Sequence, residues 1–467
     1  MKFVNRGKEL ARLEKLAKSK TAGVAVIWGR RRVGKTRLLL EWTTKNHGVY
    51  FVADESSASI QRKFFSLAFD RILPGFSSVD YPDWGSLFLR LARDAVQSKW
   101  RGPIVIDELP YLISVSPELP SVLQKFIDHE AKKAKLILVL CGSSQRMMQG
   151  SILDESAPLY GRADEIIKLS PIAVGYMKKA LRLKTSREVV EAYSVWGGIP
   201  RYWELVEKSA GTLYENIDQL VLDRMGPLSE EPHRLLHEES PPAAHLRPIL
   251  DAIGMGANRL SEVSSRIGEP ITSLSRSISR LIELDLIQRE LPYGTDIENS
   301  KKTLYKIKDP FLRFWFKVVA PRRSVFSQVS TAVRYQWLKE GLPGLFSVCW
   351  EDLCRQATPV LSESWEVIYG QTGRFWQNQD HEWDVLSQSV DGSHFLIGES
   401  KWLEKKPSVE WVYKTIQELK SKGIPPVRRQ ENTVLRYVLF IPEKPANLKL
   451  PVDVRVVDAN EVLAALS

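Results

Sequence analysis

Along the first third of the chain, short all-apolar runs at 24–28, 48–53, 103–106 and 136–141 alternate with stretches whose apolar positions recur at helical spacing. The runs lack the polar alternation of a half-exposed strand, so they predict strands buried on both faces. The stretches at 8–18, with Leu10, Leu13 and Leu16 in one stripe, and at 57–72 predict the helices between them. That rhythm argues for a parallel sheet, which binds its ligands at the carboxyl ends of its strands. Farther on, 246–307 reads as helix, helix, helix and hairpin: Ser261 can cap a short helix ending near Gly268, and Pro270 can open the next, with Leu274, Ile278, Leu281 and Leu284 on one face. In the last third the pattern predicts a helix over 343–356, three strands between 365 and 402, a helix over 408–422 and a strand over 435–441. Aromatic density at 309–316 fits packing between domains, and Ser240-Pro241-Pro242 is a stiff break that suits a domain boundary.

The first apolar run leads into Gly29-Arg30-Arg31-Arg32-Val33-Gly34-Lys35-Thr36, and a helical pattern starts at Arg37. Four residues between two glycines, then Lys-Thr, is the spacing at which successive backbone N–H groups wrap a phosphate at a helix N-terminus. Gly29, Arg30, Val33, Gly34, Lys35 and Thr36 are therefore candidate nucleotide ligands. The Lys35 ammonium would reach the β- and γ-phosphates of ATP and the Thr36 hydroxyl would hold Mg²⁺. The strand at 103–108 ends in two acids: Asp107 would hold the Mg²⁺ through water and Glu108 would polarise the attacking water, which points to hydrolysis rather than passive binding. After the run at 136–141, Ser143 in Gly142-Ser143-Ser144 is either a γ-phosphate sensor or a cap of the next helix. Arg162, in a turn before the strand-like 165–169, is either an arginine finger or an ordinary surface arginine.

A second constellation lies near the C-terminal end. Asp391-Gly392 between two strand-like segments is a strong hairpin signal, and as a two-residue loop it favours a type I′ turn. Counting outward from Val390 opposite Ser393 sets Asp384 opposite Glu399 and Glu382 opposite Lys401, so that Asp384, Glu399 and Lys401 share a face. Opposed Cβ atoms lie about 5 Å apart, and facing carboxylates at that distance ask for a cation or a proton. Mg²⁺ or Mn²⁺ would serve, with Glu351 as a candidate third oxygen ligand and Lys401 placed to activate water or stabilise a developing phosphorane charge.

Composition narrows the class. Hydrophobic residues make up 43% and charged residues 26% of 467, without a low-complexity tract or clear repeat, which indicates globular protein in about two to four domains. A formal net charge of +10 suits a polyanionic partner and equally suits ordinary solubility. On the predicted helix after Pro270, the polar face carries Ser273, Arg276, Ser277 and Arg280, suited to contacts with DNA phosphates or base edges, although Glu262, Glu269, Glu283 and Asp285 offset much of the charge. Cys141, Cys349 and Cys354 follow no zinc spacing and suggest reduced thiols. No segment approaches the roughly 18 apolar residues of a membrane span, so a cytoplasmic protein without a membrane partner is expected.

The P-loop, Asp107-Glu108, Gly142-Ser143-Ser144, Gly161-Arg162, Gly197-Gly198-Ile199-Pro200 and the early Asn5-Arg6-Gly7-Lys8-Glu9-Leu10 resemble the archaeal-type ATPases, a STAND-related branch of the AAA-like P-loop proteins. That resemblance implies a helical lid after the ATPase core, with Pro200 near the base. The order Asp384, Glu399, Lys401 resembles the PD-(D/E)XK nuclease motif, and the C-terminal region resembles domain of unknown function 234, which the same ATPases often carry. His381-Glu382-Trp383-Asp384 departs from the usual apolar approach to the aspartate. The expected architecture is a multidomain α/β chain: P-loop NTPase core with a parallel sheet at 1–170, helical lid at 171–240, winged helix-turn-helix at 241–308, and restriction-endonuclease-like α/β domain at 309–467. The expected function is an ATP-binding and ATP-hydrolysing protein that binds DNA and cleaves it with a divalent metal under ATP control. The rival is a regulatory ATPase whose last two domains only bind DNA or protein. A DNA translocase has no further motif in its favour, and self-association is left open.

Overall fold

The apolar runs of the first third build one parallel sheet in the computed structural model, which describes residues 4–143, 145–148, 150, 152, 154–239, 245–295, 302–376, 382–429 and 432–467. Its strands are β1 (Gly23–Trp28), β2 (Val49–Val52), β3 (Ile104–Asp107), β4 (Ile137–Gly142) and β5 (Glu165–Lys168), in the order β2-β3-β4-β1-β5. β1, β3 and β4 are buried along their whole length, whereas the edge strands β2 and β5 are not; β2 reads as an apolar run like the inner strands, but at the sheet edge its Val52 is exposed. On one face, helix Gly7–Lys18 sets Leu13 and Leu16 against Ala25, Ile27, Leu39 and Trp42. On the other, helices Ala58–Phe69 and Trp84–Gln97 supply Phe65, Phe69, Trp84 and Phe88. Because β1, β3 and β4 are parallel and in register, their carboxyl ends open on one edge.

Two units partition the chain. Asn5–Pro171 belongs to the sheet just described, and so does the short segment Ile199–Arg201, although Ile172–Gly198 before it and Tyr202–Ser467 after it belong to the larger unit. In the larger unit, helices Arg247–Gly254, Leu260–Ile267 and Ile271–Glu283 precede an antiparallel pair, β6 (Ile287–Glu290) and β7 (Leu304–Ile307). Leu274, Ile278, Leu281 and Leu284 are buried, as their spacing requires. Ser261 is not a cap: its helix starts one residue earlier, behind Arg259, and Glu262 accepts the Asn258 and Arg259 N–H groups at 2.9 and 3.0 Å. The expected break at Ser240-Pro241-Pro242 lies outside the described residues. Asp309 caps helix Pro310–Phe314, and the aromatic density there is core, with Phe311 buried against Trp196 and Tyr202.

The C-terminal sheet joins β8 (Tyr369–Phe375), β9 (Trp383–Ser389), β10 (His394–Ser400), β11 (Val434–Phe440) and β12 (Val454–Val457) in the order β12-β11-β10-β9-β8. The first three form an antiparallel meander, and helix Val409–Ser421, capped by Ser408, makes the crossover to the parallel β11. The helix expected over 343–356 is the middle of a longer one, Thr331–Ser362, with Pro343 in its interior rather than at its start. Burial of Leu338, Leu342, Leu345, Phe346 and Trp350 carries the helix through the proline. All three cysteines are buried and free, and among the described residues no helix is long and apolar enough to cross a membrane.

Candidate functional site

The loop at 29–36 depends on its two glycines. A Cβ on Gly29 would lie 2.5 Å from the Leu169 carbonyl oxygen, and Gly34, at φ +96°, opens helix Lys35–Lys45 from the left-handed region. Lys35 is buried and turns its ammonium onto the loop, donating to the Gly29 and Arg30 carbonyls at 2.7 and 3.2 Å. Arg30 and Val33 are buried beside it. The Val33 carbonyl accepts from Arg6 Nη2 at 2.8 Å, and the same nitrogen reaches the Ser170 carbonyl at 2.9 Å. Burial pushes the Arg6 guanidinium down from its usual range, against the opposing pull of Glu9 at 3.3 Å. Arg6 thus clamps the loop to the chain after β5, a role the sequence displayed only as one letter of an N-terminal motif.

The acids of β3 lie at the same edge. Asp107 is 1% exposed; its Oδ2 accepts from Thr36 Oγ1 at 3.0 Å and from the Tyr50 hydroxyl at 2.5 Å, and its Oδ1 from the Glu108 N–H at 2.9 Å. Glu108 leaves the strand at φ 53° and ψ 41°, and its Oε2 accepts from the Ser143 N–H at 3.2 Å and the Ser143 hydroxyl at 2.8 Å. The Ser143 side chain therefore serves Glu108; Ser144 lies outside the described residues. Pro200 belongs to the same unit, with its Cγ 3.5 Å from where a Cβ on Gly34 would stand. This donor set fits MgATP: a glycine loop and a buried ammonium for phosphate oxygens, and the Thr36 hydroxyl beside the Asp107 carboxylate for the metal. Bound Mg²⁺ would neutralise charge developing on the phosphate oxygens.

Arg162 closes its own turn. It binds both carboxylate oxygens of Asp128 at 2.9 to 3.2 Å and the Pro158 and Tyr160 carbonyls at 2.9 and 3.2 Å, and it draws the Asp128 carboxyl below its usual range. In this arrangement it staples its own turn to Asp128. On helix Ile271–Glu283, Ser273 and Arg276 are exposed and Ser277 and Arg280 half-exposed. The Ser273 hydroxyl lies 2.8 Å from the Pro270 carbonyl and 3.2 Å from Glu269, and Arg280 pairs with Glu283 at 3.2 Å.

In the C-terminal hairpin the register is the expected one. Phe395 pairs with Gln388 and Gly398 with Val385, and one further step sets Glu399 against Asp384. The turn differs from type I′. Only Gly392 of the central pair has a positive φ, and its N–H donates to the Ser389 carbonyl at 2.9 Å, so Asp391 sits inside a turn that a left-handed glycine closes. Hydroxyls of Ser389 and Ser393 hold the Asp391 carboxyl down to about 2. The counter-charge at Glu399 also differs: its Oε1 pairs with Lys401 at 2.7 Å and its Oε2 with Lys422 at 2.6 Å, so two ammonium groups fill the part expected of a metal ion. Lys422 comes from the far end of the crossover helix, too distant in sequence to be foreseen. Asp384 Oδ2 accepts from the Ser400 N–H at 2.9 Å, while burial, reinforced by Glu399, raises the Asp384 carboxyl. Burial, with Asp384 adding to it, pushes Glu351 up to about 7, and Glu351 stands 3.7 Å from Arg355. Among the described residues, no three His, Cys, Asp or Glu side chains converge closely enough to hold a metal ion. Glu351, Asp384 and Glu399 therefore do not form a ligand set in this arrangement; His381 lies outside the described residues.

Beneath them runs a buried ionic network that the sequence reading missed. Asp352 binds Lys306, Arg313 and Arg355 at 2.9, 3.0 and 2.8 Å, and Glu290 binds Lys306 and Arg374 at 2.9 and 2.7 Å. Arg355 also donates to the Asp384 carbonyl at 2.9 Å. The pair β6 and β7 is thereby tied to the acid-bearing hairpin.

Fold and site define a P-loop ATPase. Residues 3–206 match the model of an ATPase domain predominantly from Archaea, and residues 315–412 match domain of unknown function 234, described as archaeal and bacterial proteins of unknown function. An uncharacterized Methanocaldococcus jannaschii protein, MJECL04, is 28% identical over 419 residues, 89% of this chain and 91% of that one. Among solved structures, the Walker-type ATPase PABY2304 of Pyrococcus abyssi is similar in fold, with a TM-score of 0.54 and 20% identity over 68% of this chain and 96% of that one. The chain thus carries an archaeal-type ATPase domain followed by a separate C-terminal sheet domain.

Proposed function

We propose that this ATPase uses its nucleotide cycle to control DNA bound by the larger unit. The observation that carries the reading is the meeting of Lys35, Thr36, Asp107, Glu108 and Ser143 at one sheet edge, with a carboxylate beyond the Mg²⁺ ligand available for water activation. In this reading helices Leu260–Ile267 and Ile271–Glu283 with β6 and β7 act as a winged helix-turn-helix, and Ser273, Arg276, Ser277 and Arg280 face DNA. Pro200, beside the P-loop, is the residue through which nucleotide occupancy reaches the chain beyond it. A ligand shifts such an equilibrium only by its differential affinity for the two states. DNA titrations with ADP and with a non-hydrolysable ATP analogue therefore give different dissociation constants, and Lys35→Ala abolishes the difference; equal constants in the wild type refute the coupling.

A second reading, metal-dependent cleavage of that DNA, is favoured by one observation: Asp384, Glu399 and Lys401 meet across the hairpin in the order of the nuclease motif. The paired lysines, and the absence of a three-ligand set among the described residues, rank it below binding alone. Incubation of linear and circular DNA with Mg²⁺ or Mn²⁺ decides between them. Cutting lost in Asp384→Ala establishes the nuclease, and ATPase activity that responds to DNA without any cutting establishes the regulatory ATPase.

A further inference from the structure

Asp107 is held by two hydroxyls, and they are not equivalent. Thr36 Oγ1 donates to Oδ2 at 3.0 Å, yet the same hydroxyl is the one that would turn a lone pair to Mg²⁺. Tyr50 donates to the same Oδ2 at 2.5 Å. It stands on β2, whose Val52 pairs with Asp107 itself, so the phenol reaches the carboxylate from a strand fixed to β3 by backbone hydrogen bonds. Its ring packs against the core cluster of Leu39, Trp42 and Val105, and its hydroxyl donates to a carboxylate oxygen that can only accept. The Thr36 hydroxyl can donate to Oδ2 while a lone pair faces the cation; the Tyr50 hydroxyl, which stands outside the metal ligands, holds the same Oδ2 from the neighbouring strand.

We propose that Tyr50 is the positioning residue of the metal site, fixing the Asp107 carboxylate from β2 beside the Thr36 hydroxyl that would ligate the cation. The inference rests on the P-loop ATPase reading. Partners of this kind hold ligating groups in orientation, and their loss costs about 10- to 100-fold in metal affinity.

The test is Mn²⁺ binding to the ADP-loaded full chain, followed by electron paramagnetic resonance. Tyr50→Phe keeps the ring and its packing, and it weakens Mn²⁺ binding about tenfold, while ADP binding in EDTA and the melting temperature stay at wild-type values. Mn²⁺ affinity equal to wild type overturns the proposal. Asp107→Ala serves as the reference: Mn²⁺ affinity equal to wild type in that variant overturns the metal site itself and the proposal with it, and the two failures are thereby distinguishable.

Discussion

Glu108 holds a backbone conformation that costs a side-chain-bearing residue about 1 to 3 kcal/mol, and its carboxylate is fixed by both hydrogen-bonding groups of Ser143. Ser143→Ala should therefore lower the hydrolysis rate about tenfold, and Glu108→Gln about a hundredfold or more, with nucleotide affinity within twofold of wild type in both. Steady-state kinetics beside a nucleotide titration check the split, and a loss confined to affinity would refute it. Arg6→Met leaves the Val33 and Ser170 carbonyls without their shared donor, so it should weaken nucleotide binding and destabilise the ATPase unit by about 1 to 3 kcal/mol, read as a lower denaturation midpoint. At this scale legibility follows contact distance. Lys35 and Thr36 could be read because the P-loop fixes chemistry to adjacent positions. Arg6, Tyr50 and Lys422 could not, because their partners stand 27, 57 and 23 residues away.

Elements were legible where one periodicity governed them. Alternation and a Gly-containing turn were enough for the β9–β10 register, because a slip by one residue would turn every buried side chain outward. The turn type escaped, since a left-handed glycine can close either geometry, and so did helix Thr331–Ser362, whose interior proline looked like a start. That helix also carries a pH dependence. The folded chain keeps the Glu351 proton up to about pH 7, whereas the carboxyl's ordinary value is 4.5. Between those values the folded state binds the extra proton, so this group makes the larger unit less stable as pH rises, by on the order of 3 kcal/mol across the window. Denaturant unfolding at pH 5 and pH 8 should show that the fall is smaller in Glu351→Gln, and an identical pH dependence in the two proteins would remove the assignment.

For the whole molecule, the proposed DNA binding would draw on the surplus of 10 positive charges and the exposed arginine of helix Ile271–Glu283, and would then be salt-dependent. Arg276→Ala should weaken binding severalfold and flatten the logarithmic salt slope by about one unit, measured by fluorescence anisotropy between low and physiological salt. An unchanged slope would move the DNA surface elsewhere. The alternation of strands and helices made the ATPase core readable, whereas the return of Ile199–Arg201 to it could be expected only from the family resemblance that sets Pro200 near the base, because membership depends on contacts made after the chain has left for the larger unit. That assignment limits how the protein can be cut apart. A fragment ending at residue 171 would contain every P-loop and acidic residue of the nucleotide site and still lack Pro200 and the buried Ile199. The ATPase is therefore not a cassette: recombination or proteolysis that transfers the N-terminal segment alone transfers the ligands while leaving behind a piece of the wall.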